Sequence, residues 1–198
     1  MIKTGLIFLF VLLLTDLYSQ GFKANAIIGV STSQVSSDNL GGFNKVGLKL
    51  GASVFHKIND ATRAEYGIYY IDKGSRDTEN FLKIDLSYIE SAVTFQKSSK
   101  GIIYEAGLLF GVLIDGITYN RNDRQDPVLS DFSKYDIGAT IGAGIKIKPK
   151  VLMFWEISNT IPFFPIQEHP DGISVGLNKG KYNSIFSISL RYLLSNGK

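Results

Sequence analysis

The run from Tyr135 to Ile147 alternates strictly between two kinds of residue. Its odd positions are tyrosine, isoleucine or alanine, and its even positions are glycine, threonine or charged residues such as Asp136 and Lys146. A period of two places these sets on opposite faces of a β-strand, whereas a helix would scatter the isoleucines around its axis. The run exceeds the usual strand of about five or six residues and reaches the length of about ten with which a tilted strand crosses a bilayer. It therefore predicts one strand of a membrane β-barrel, with isoleucines toward lipid and glycines and charges toward the lumen.

The same alternation recurs along the chain and predicts eight strands in all. Their predicted ranges are Phe22–Ser33, Val46–Val54, Arg63–Tyr70, Leu82–Gln96, Ile102–Asp115, Tyr135–Ile147, Val151–Ser158 and Phe186–Tyr192. Polar loops and tight turns alternate between them, and an even strand number returns the chain to the side on which it began. The sequence thus predicts an all-β, eight-stranded antiparallel up-and-down transmembrane β-barrel, a meander with short periplasmic turns, long outer loops and both termini periplasmic.

Residues 1–19 have the features of a secretory signal peptide. Lys3 supplies the positive n-region, and residues 5–14 form an apolar h-region too short to span a bilayer as a helix. Cleavage after Ser19 would leave residues 20–198 as a single barrel domain in the cell outer membrane. A retained N-terminal anchor is the alternative.

The fourth strand changes its apolar register in the middle. Leu82 and Tyr88 belong to one alternating apolar set, whereas Ile89, Val93 and Phe95 belong to the other. A regular strand would turn one half to the wrong face, so the pattern predicts a β-bulge at Tyr88-Ile89.

The faces opposite the apolar positions carry charges of both signs. The predicted lumen-lining charges are Lys49, Arg63, Glu65, Lys83, Asp85, Glu90, Glu105, Asp115, Asp136, Lys146, Glu156 and Arg191. An eight-stranded barrel is only just wide enough for its own side chains, and ions removed from water need partners. We expect a plug of ion pairs; a narrow ion or solute path is the alternative.

Composition excludes several other classes of protein. The chain has no cysteine, so a thiol nucleophile, a disulfide and a lipidated cysteine are excluded. Its net charge of +3 comes without a basic block, so no nucleic-acid partner is expected. No cofactor is expected either. A soluble secreted barrel of lipocalin type would share the alternation, but it would need its bulky apolar residues inside.

The longest predicted loop, about Thr160 to Lys181, carries two further features. Its apolar cluster, with Phe163, Phe164 and Ile166, is a candidate partner loop, although aromatics near strand ends also form the interfacial girdle of barrels. Other candidates for that girdle are Tyr69, Tyr70, Phe132, Trp155 and Tyr182. His169, with Asp171 and Ser174 nearby, raises the alternative of a lipid-modifying enzyme. The other histidine, His56, lies beside a predicted periplasmic turn.

Short motifs on the predicted strands resemble the PorT-like porin family of outer-membrane β-barrels from Bacteroidetes-type bacteria. The motifs are Leu86-Ser87-Tyr88-Ile89-Glu90, Tyr104-Glu105-Ala106-Gly107, Tyr135-Asp136-Ile137-Gly138 and the closing strand Phe186–Tyr192. The resemblance implies a barrel inserted by the barrel-assembly machinery, and some members of this family are linked to protein secretion. We therefore expect a non-catalytic surface or envelope protein, with outer-membrane lipid and a possible loop-binding protein as partners. A component of a secretion assembly or a narrow porin is the alternative.

Overall fold

The computed structural model describes residues 21–36, 42–77, 82–119, 125–127, 131–168 and 179–194. Eight long strands carry the fold, and two short ones lie in loops. The long strands are β1 (Lys23–Ser36), β2 (Lys45–Lys57), β3 (Thr62–Asp77), β4 (Leu82–Ser99), β5 (Ile102–Tyr119), β7 (Tyr135–Lys148), β8 (Val151–Thr160) and β10 (Gly180–Leu193). The short strands are β6 (Gln125–Pro127) and β9 (Gln167–Glu168).

Each long strand pairs antiparallel with the next long strand along the chain. The last strand, β10, pairs with β1 from Asn25↔Leu193 to Ser36↔Tyr182 and so closes the sheet. Closure leaves no unpaired edge among the long strands, because every one has two neighbours. The predicted eight-stranded antiparallel up-and-down barrel is confirmed.

The outer surface of the barrel is apolar, and most of the charged and polar strand residues lie in its interior. On β7, Ile141 is 62% exposed while Asp136 is 2% exposed. The same division holds on β1, where Ile28 and Val30 are exposed and Ser31 and Ser33 are buried. A water-soluble barrel has the opposite arrangement, because burial of apolar surface is what drives its folding. The isoleucines of β7 therefore point away from the barrel centre.

Tight turns join the strands at one end of the barrel. Lys100 and Gly101 join β4 to β5 with φ values of 50° and 84°. Positive φ at both central residues is the signature of a type I′ turn, whose twist matches the flanking strands. The β2–β3 turn is held by Asn59, whose side-chain oxygen accepts hydrogen bonds from the amides of Ala61 and Thr62 at 3.0 and 2.8 Å.

The β-bulge lies on β5, which corrects the predicted position on the fourth strand. Ser87 pairs with Asp115 and Tyr88 with Leu113, so Ile114 is the extra residue. The alternation of β4 therefore continues unbroken, and its first half turns its apolar side chains inward rather than outward. Ile84, Leu86 and Tyr88 are buried inside the barrel. This arrangement is stable because that end of the interior is apolar.

The strands extend further into the predicted loops than the sequence indicated. The segment Asp72–Asp77 reads as a polar loop but forms the end of β3, paired with β4 as far as Asp77↔Leu82. This end of β3 leans across toward β1, where Ser33 donates a hydrogen bond to the carbonyl of Gly74 at 3.0 Å. Gly74 has φ of 134°, a conformation that favours glycine. The lean brings Lys73 into the barrel interior.

Candidate functional site

Arg191 organises the interior near the tight-turn end. Its guanidinium donates to Glu65 at 2.9 Å, to both carboxylate oxygens of Glu105 at 2.8 and 3.0 Å, and to Glu156 at 3.2 Å. The residue is 1% exposed, and its guanidinium stacks 3.7 Å above the ring of Phe154. A planar fork of donors suits this arrangement, because one arginine reaches carboxylates from β3, β5 and β8 together.

Secondary partners complete this Arg191 cluster, which comprises Arg191, Glu65, Glu105, Glu156 and the residues bonded to them. Lys49 donates to Glu156 at 2.8 Å, and Arg63 lies 3.7 Å from Glu65. The amide of Gln96 bridges Glu65 and Glu105. Hydroxyl groups supply further hydrogen bonds. Thr94 donates to Glu105, and Ser187 and Ser189 donate to Glu156. Such pairing offsets the cost of holding ions away from water.

A second cluster of buried ions surrounds Lys73, closer to the loop end. Lys73 donates to Glu90 at 2.8 Å and to Asp136 at 2.9 Å. Asp136 also accepts hydrogen bonds from Thr160 at 2.7 Å and from Asn183 at 2.8 Å. We call these residues the Lys73 cluster. It joins β3, β4, β7, β8 and β10 across the interior.

An apolar cap closes the interior at the loop end. Its members are Val35, Ile71, Ile84, Leu86, Tyr88, Leu113, Phe132, Ile166 and Ile185. Phe132 and Ile166 come from the long connections rather than from strands. Their segments are tied down by main-chain bonds from Leu113 to Lys134 and from Ile166 to Lys181, at 2.8 and 2.9 Å. The cap therefore packs as a small hydrophobic core above the Lys73 cluster.

Very little space remains between the two ionic clusters. The void there, lined by Lys49, Tyr69, Glu90 and Glu156 among others, has a volume of about 10 Å³. A cavity of this size holds at most about one water molecule. The middle of the lumen is filled by side chains.

Most of the predicted lumen charges lie inside the barrel. Seven positions are buried there: Lys49, Glu65, Glu90, Glu105, Asp136, Glu156 and Arg191. Arg63 lies at the turn-end edge of the Arg191 cluster and is partly exposed. Lys146 is exposed and lines an open mouth at the same end.

Three predicted lumen charges require correction. Lys83 and Asp85 flank the inward Ile84 on β4, so they face outward and pair with each other. Asp115 is exposed, because the bulge at Ile114 places both residues on the outer side. All three wrong predictions have one cause, which is the predicted position of the bulge. A one-residue shift exchanges the two faces of a strand.

Sequence reasoning missed Lys73 and the amides Gln96 and Asn183. The sequence predicts a loop at Lys73, because residues 72–77 combine glycine, serine and charges. The available signal was the alternation of Tyr69, Ile71, Lys73 and Ser75, which continues the buried face of β3. Gln96 and Asn183 are uncharged, so a pattern of charged residues on the lumen faces does not include them.

The candidate partner loop divides into two parts. Phe163 and Phe164 are exposed at 56% and 50%, whereas Ile166 is fully buried in the apolar cap. Ile166 is therefore corrected from a surface contact to an anchor. Two hydrogen bonds hold this segment, from the amide of Phe164 to the carbonyl of Ile161 and from the hydroxyl of Tyr182 to the carbonyl of Pro162, both at 2.9 Å.

The predicted aromatic girdle also requires correction. Tyr69 is buried in the lumen beside Lys49, and Phe132 belongs to the apolar cap. Trp155 lies on the outer face, because its neighbours Phe154 and Glu156 are buried inside. Tyr70 and Tyr182 are partly exposed and hydrogen-bonded.

The histidines offer no assembled catalytic site within the described ranges. His56 packs its ring 5.4 Å from that of Phe22, and His169, Asp171 and Ser174 lie outside the described residues. No group of three or more His, Asp or Glu residues suited to a metal ion occurs in the described parts of the chain. In the same parts, no helix has the length and apolarity of a membrane span.

Comparisons with known proteins support the fold. No family model matches this chain, and no curated protein matches it. Among solved structures, it is similar to Ail, the attachment invasion locus protein of Yersinia pestis, with 12% identity over 88% of this chain and 99% of that one, at a TM-score of 0.52. It is also similar to Neisserial surface protein A, with 13% identity over 87% and 96% of the two chains, at a TM-score of 0.52. At this level of identity, the likeness establishes a shared barrel fold.

Proposed function

We propose that this protein is a sealed outer-membrane β-barrel with a non-catalytic role at the cell surface or in envelope structure. Residues 1–19 direct its export, and the tight turns and both chain ends lie in the periplasm. It requires no cofactor. The observation that supports this proposal most directly is the filled lumen, in which two ionic clusters and an apolar cap leave a void of about 10 Å³.

The outer surface supports the location in a membrane. Large apolar side chains such as Leu108, Ile141 and Ile157 are more than half exposed around the barrel wall. Soluble monomers rarely expose contiguous apolar surface of this extent, whereas lipid-facing strands do. The predicted lumen charges that lie inside act as a structural plug in this proposal.

Planar-bilayer recording tests the sealed lumen. Purified protein whose barrel is verified by heat-modifiable gel mobility should show no large, steady single-channel conductance. The reason is that ion passage requires both clusters and the cap to separate. Steady channels from the heat-modifiable protein would contradict the proposal and favour the narrow-porin alternative.

A secretion-related role, as in PorT-like proteins, is the second candidate. The observation that favours it is the exposed pair Phe163 and Phe164, which lie at the loop end on a segment held by main-chain hydrogen bonds. Purification from crosslinked outer membranes tests it, with Phe163→Ser/Phe164→Ser as the comparison. A stoichiometric secretion protein that is lost from the variant favours this candidate, and its absence from both preparations favours the surface role.

We propose that the chain is non-catalytic. His169 is the residue on which a lipid-modifying activity would depend. His169→Ala should leave outer-leaflet lipid chemistry unchanged in cells that express equal amounts of folded barrel. Loss of a lipid modification in that variant would overturn the non-catalytic assignment.

A further inference from the structure

A cavity of about 370 Å³ opens at the tight-turn end of the barrel. The Arg191 cluster closes its inner end, because Arg63 and Phe55 line the cavity and Arg63 pairs with Glu65 and Gln96 of that cluster. The cavity is therefore a dead end rather than the entrance to a channel. Its volume falls within the range of small-molecule pockets.

The polar part of the cavity wall is strongly cationic. Its cations are Lys23, Lys57, Arg63, Lys146 and Lys150. None of the described residues lining the cavity is a carboxylate, and Asp60, in the nearby β2–β3 turn, does not line it. The lysines of this set form no ion pair with any described residue, in contrast to the neutralised cations Lys49 and Lys73 further inside. Clefts lined by one sign of charge concentrate ions of the opposite sign.

Apolar side chains supply the rest of the wall. Phe55, Ile103, Leu152 and Leu193 line the cavity together with the ring of Pro149. Phe55 is buried, and the guanidinium of Arg63 lies 4.5 Å from the centre of its ring. A small hydrated anion would satisfy the lysines but leave this apolar surface in contact with water. A ligand that carries both an acidic group and an alkyl chain matches both parts of the wall.

We propose that this mouth cavity binds a single-chain alkyl carboxylate of the fatty-acid type. The carboxylate lies among Lys57, Lys146 and Lys150, and the chain lies against Leu152 and Leu193. Binding removes repulsion among the lysines and covers apolar surface. The site is separate from the sealed lumen and does not depend on which compartment the mouth faces.

Nuclear magnetic resonance of the full barrel in phosphatidylcholine nanodiscs tests the site, because this neutral lipid adds no competing net anion. The probes are octanoate, acetate and octanol. Octanoate should cause saturable amide shifts at Gly101, Ile103 and Leu152. Acetate, which lacks the chain, and octanol, which lacks the charge, should require at least about tenfold higher concentration for the same shifts.

A matched pair of variants tests the assignment of the lysines. Lys146→Gln/Lys150→Gln should weaken octanoate binding by about tenfold or more. Lys148→Gln removes the same kind of charge from the same β7–β8 hairpin but from a residue that does not line the cavity, so binding should stay within about twofold. Heat-modifiable mobility verifies that each variant folds.

Several outcomes would overturn the proposal. One is the absence of saturable octanoate shifts at the mouth of the folded wild-type barrel. Another is an equal response to acetate, which would show a site for simple anions, or to octanol, which would show apolar partitioning. Equal weakening by Lys148→Gln would show general surface attraction instead of a built site.

Discussion

The buried charged residues show which properties of a single residue can be predicted from the sequence and which depend on the closed barrel. Alternation places Glu65, Glu105 and Arg191 on the lumen face, but it says nothing about their partners. Arg191 meets Glu65 across 126 positions of sequence, and only closure of β10 against β1 brings them together. At Lys73, even the secondary structure could not be predicted locally. Its neighbouring residues resemble a turn, and only pairing with β4 keeps it in a strand.

Removing Arg191 should destabilise the barrel far more than removing an outer-face cation. Arg191→Met leaves three buried carboxylates without their shared cation, and breaking a buried pair in this way costs about 3–5 kcal/mol. Lys83→Met breaks a partly exposed pair with Asp85 and should cost less than about 1 kcal/mol. Urea unfolding in lipid vesicles, followed by Trp155 fluorescence, measures both. Equal midpoints would show that the Arg191 cluster adds nothing to stability.

The strands were largely predictable as elements, because alternation is a property of each strand alone. In contrast, the sequence did not predict which face of the first half of β4 points into the barrel. Ile84 and Leu86 alternate with Lys83 and Asp85. In an ordinary membrane barrel, this pattern would place the apolar pair toward lipid and the charged pair toward the lumen. The inward orientation depends on Phe132 and Ile166, which arrive from distant connections and make the loop-end interior apolar. No pattern within β4 contains that information.

Deletion of Ile114 should be tolerated, whereas deletion of Leu108 from the same strand should not. Without Ile114, the pairs Ser87↔Asp115 and Tyr88↔Leu113 can both persist, and the facing of every other residue on β5 is kept. Without Leu108, the residues between that point and the bulge exchange faces and bring Leu109 out of the interior. Heat-modifiable mobility after refolding into vesicles checks this. Failure of the Ile114 deletion alongside normal folding of the Leu108 deletion would contradict the bulge assignment.

At the scale of the whole molecule, the fold reverses the usual polarity of a globular protein. Its two clusters of paired ions are enclosed, and its largest apolar surface faces outward. That reversal was predictable, because the opposite faces of β5 and β7 differ so strongly that only one can surround a narrow lumen. The apolar cap was not predictable, because at that end of the barrel apolar side chains face inward instead of outward. It closes the interior where the strands extend toward the loops.

The single tryptophan offers a direct test of the reversed polarity. Trp155 lies on the outer face, paired with Ala143 and Ile188 along the length of the wall. In vesicles of lipids brominated on their acyl chains, its fluorescence should be strongly quenched, while aqueous iodide should have little effect. Moving the probe with Trp155→Phe/Phe163→Trp should reverse the result, because position 163 is exposed at the loop end. If iodide quenched Trp155 strongly and brominated lipid did not, the apolar wall would face water and the membrane assignment would fail.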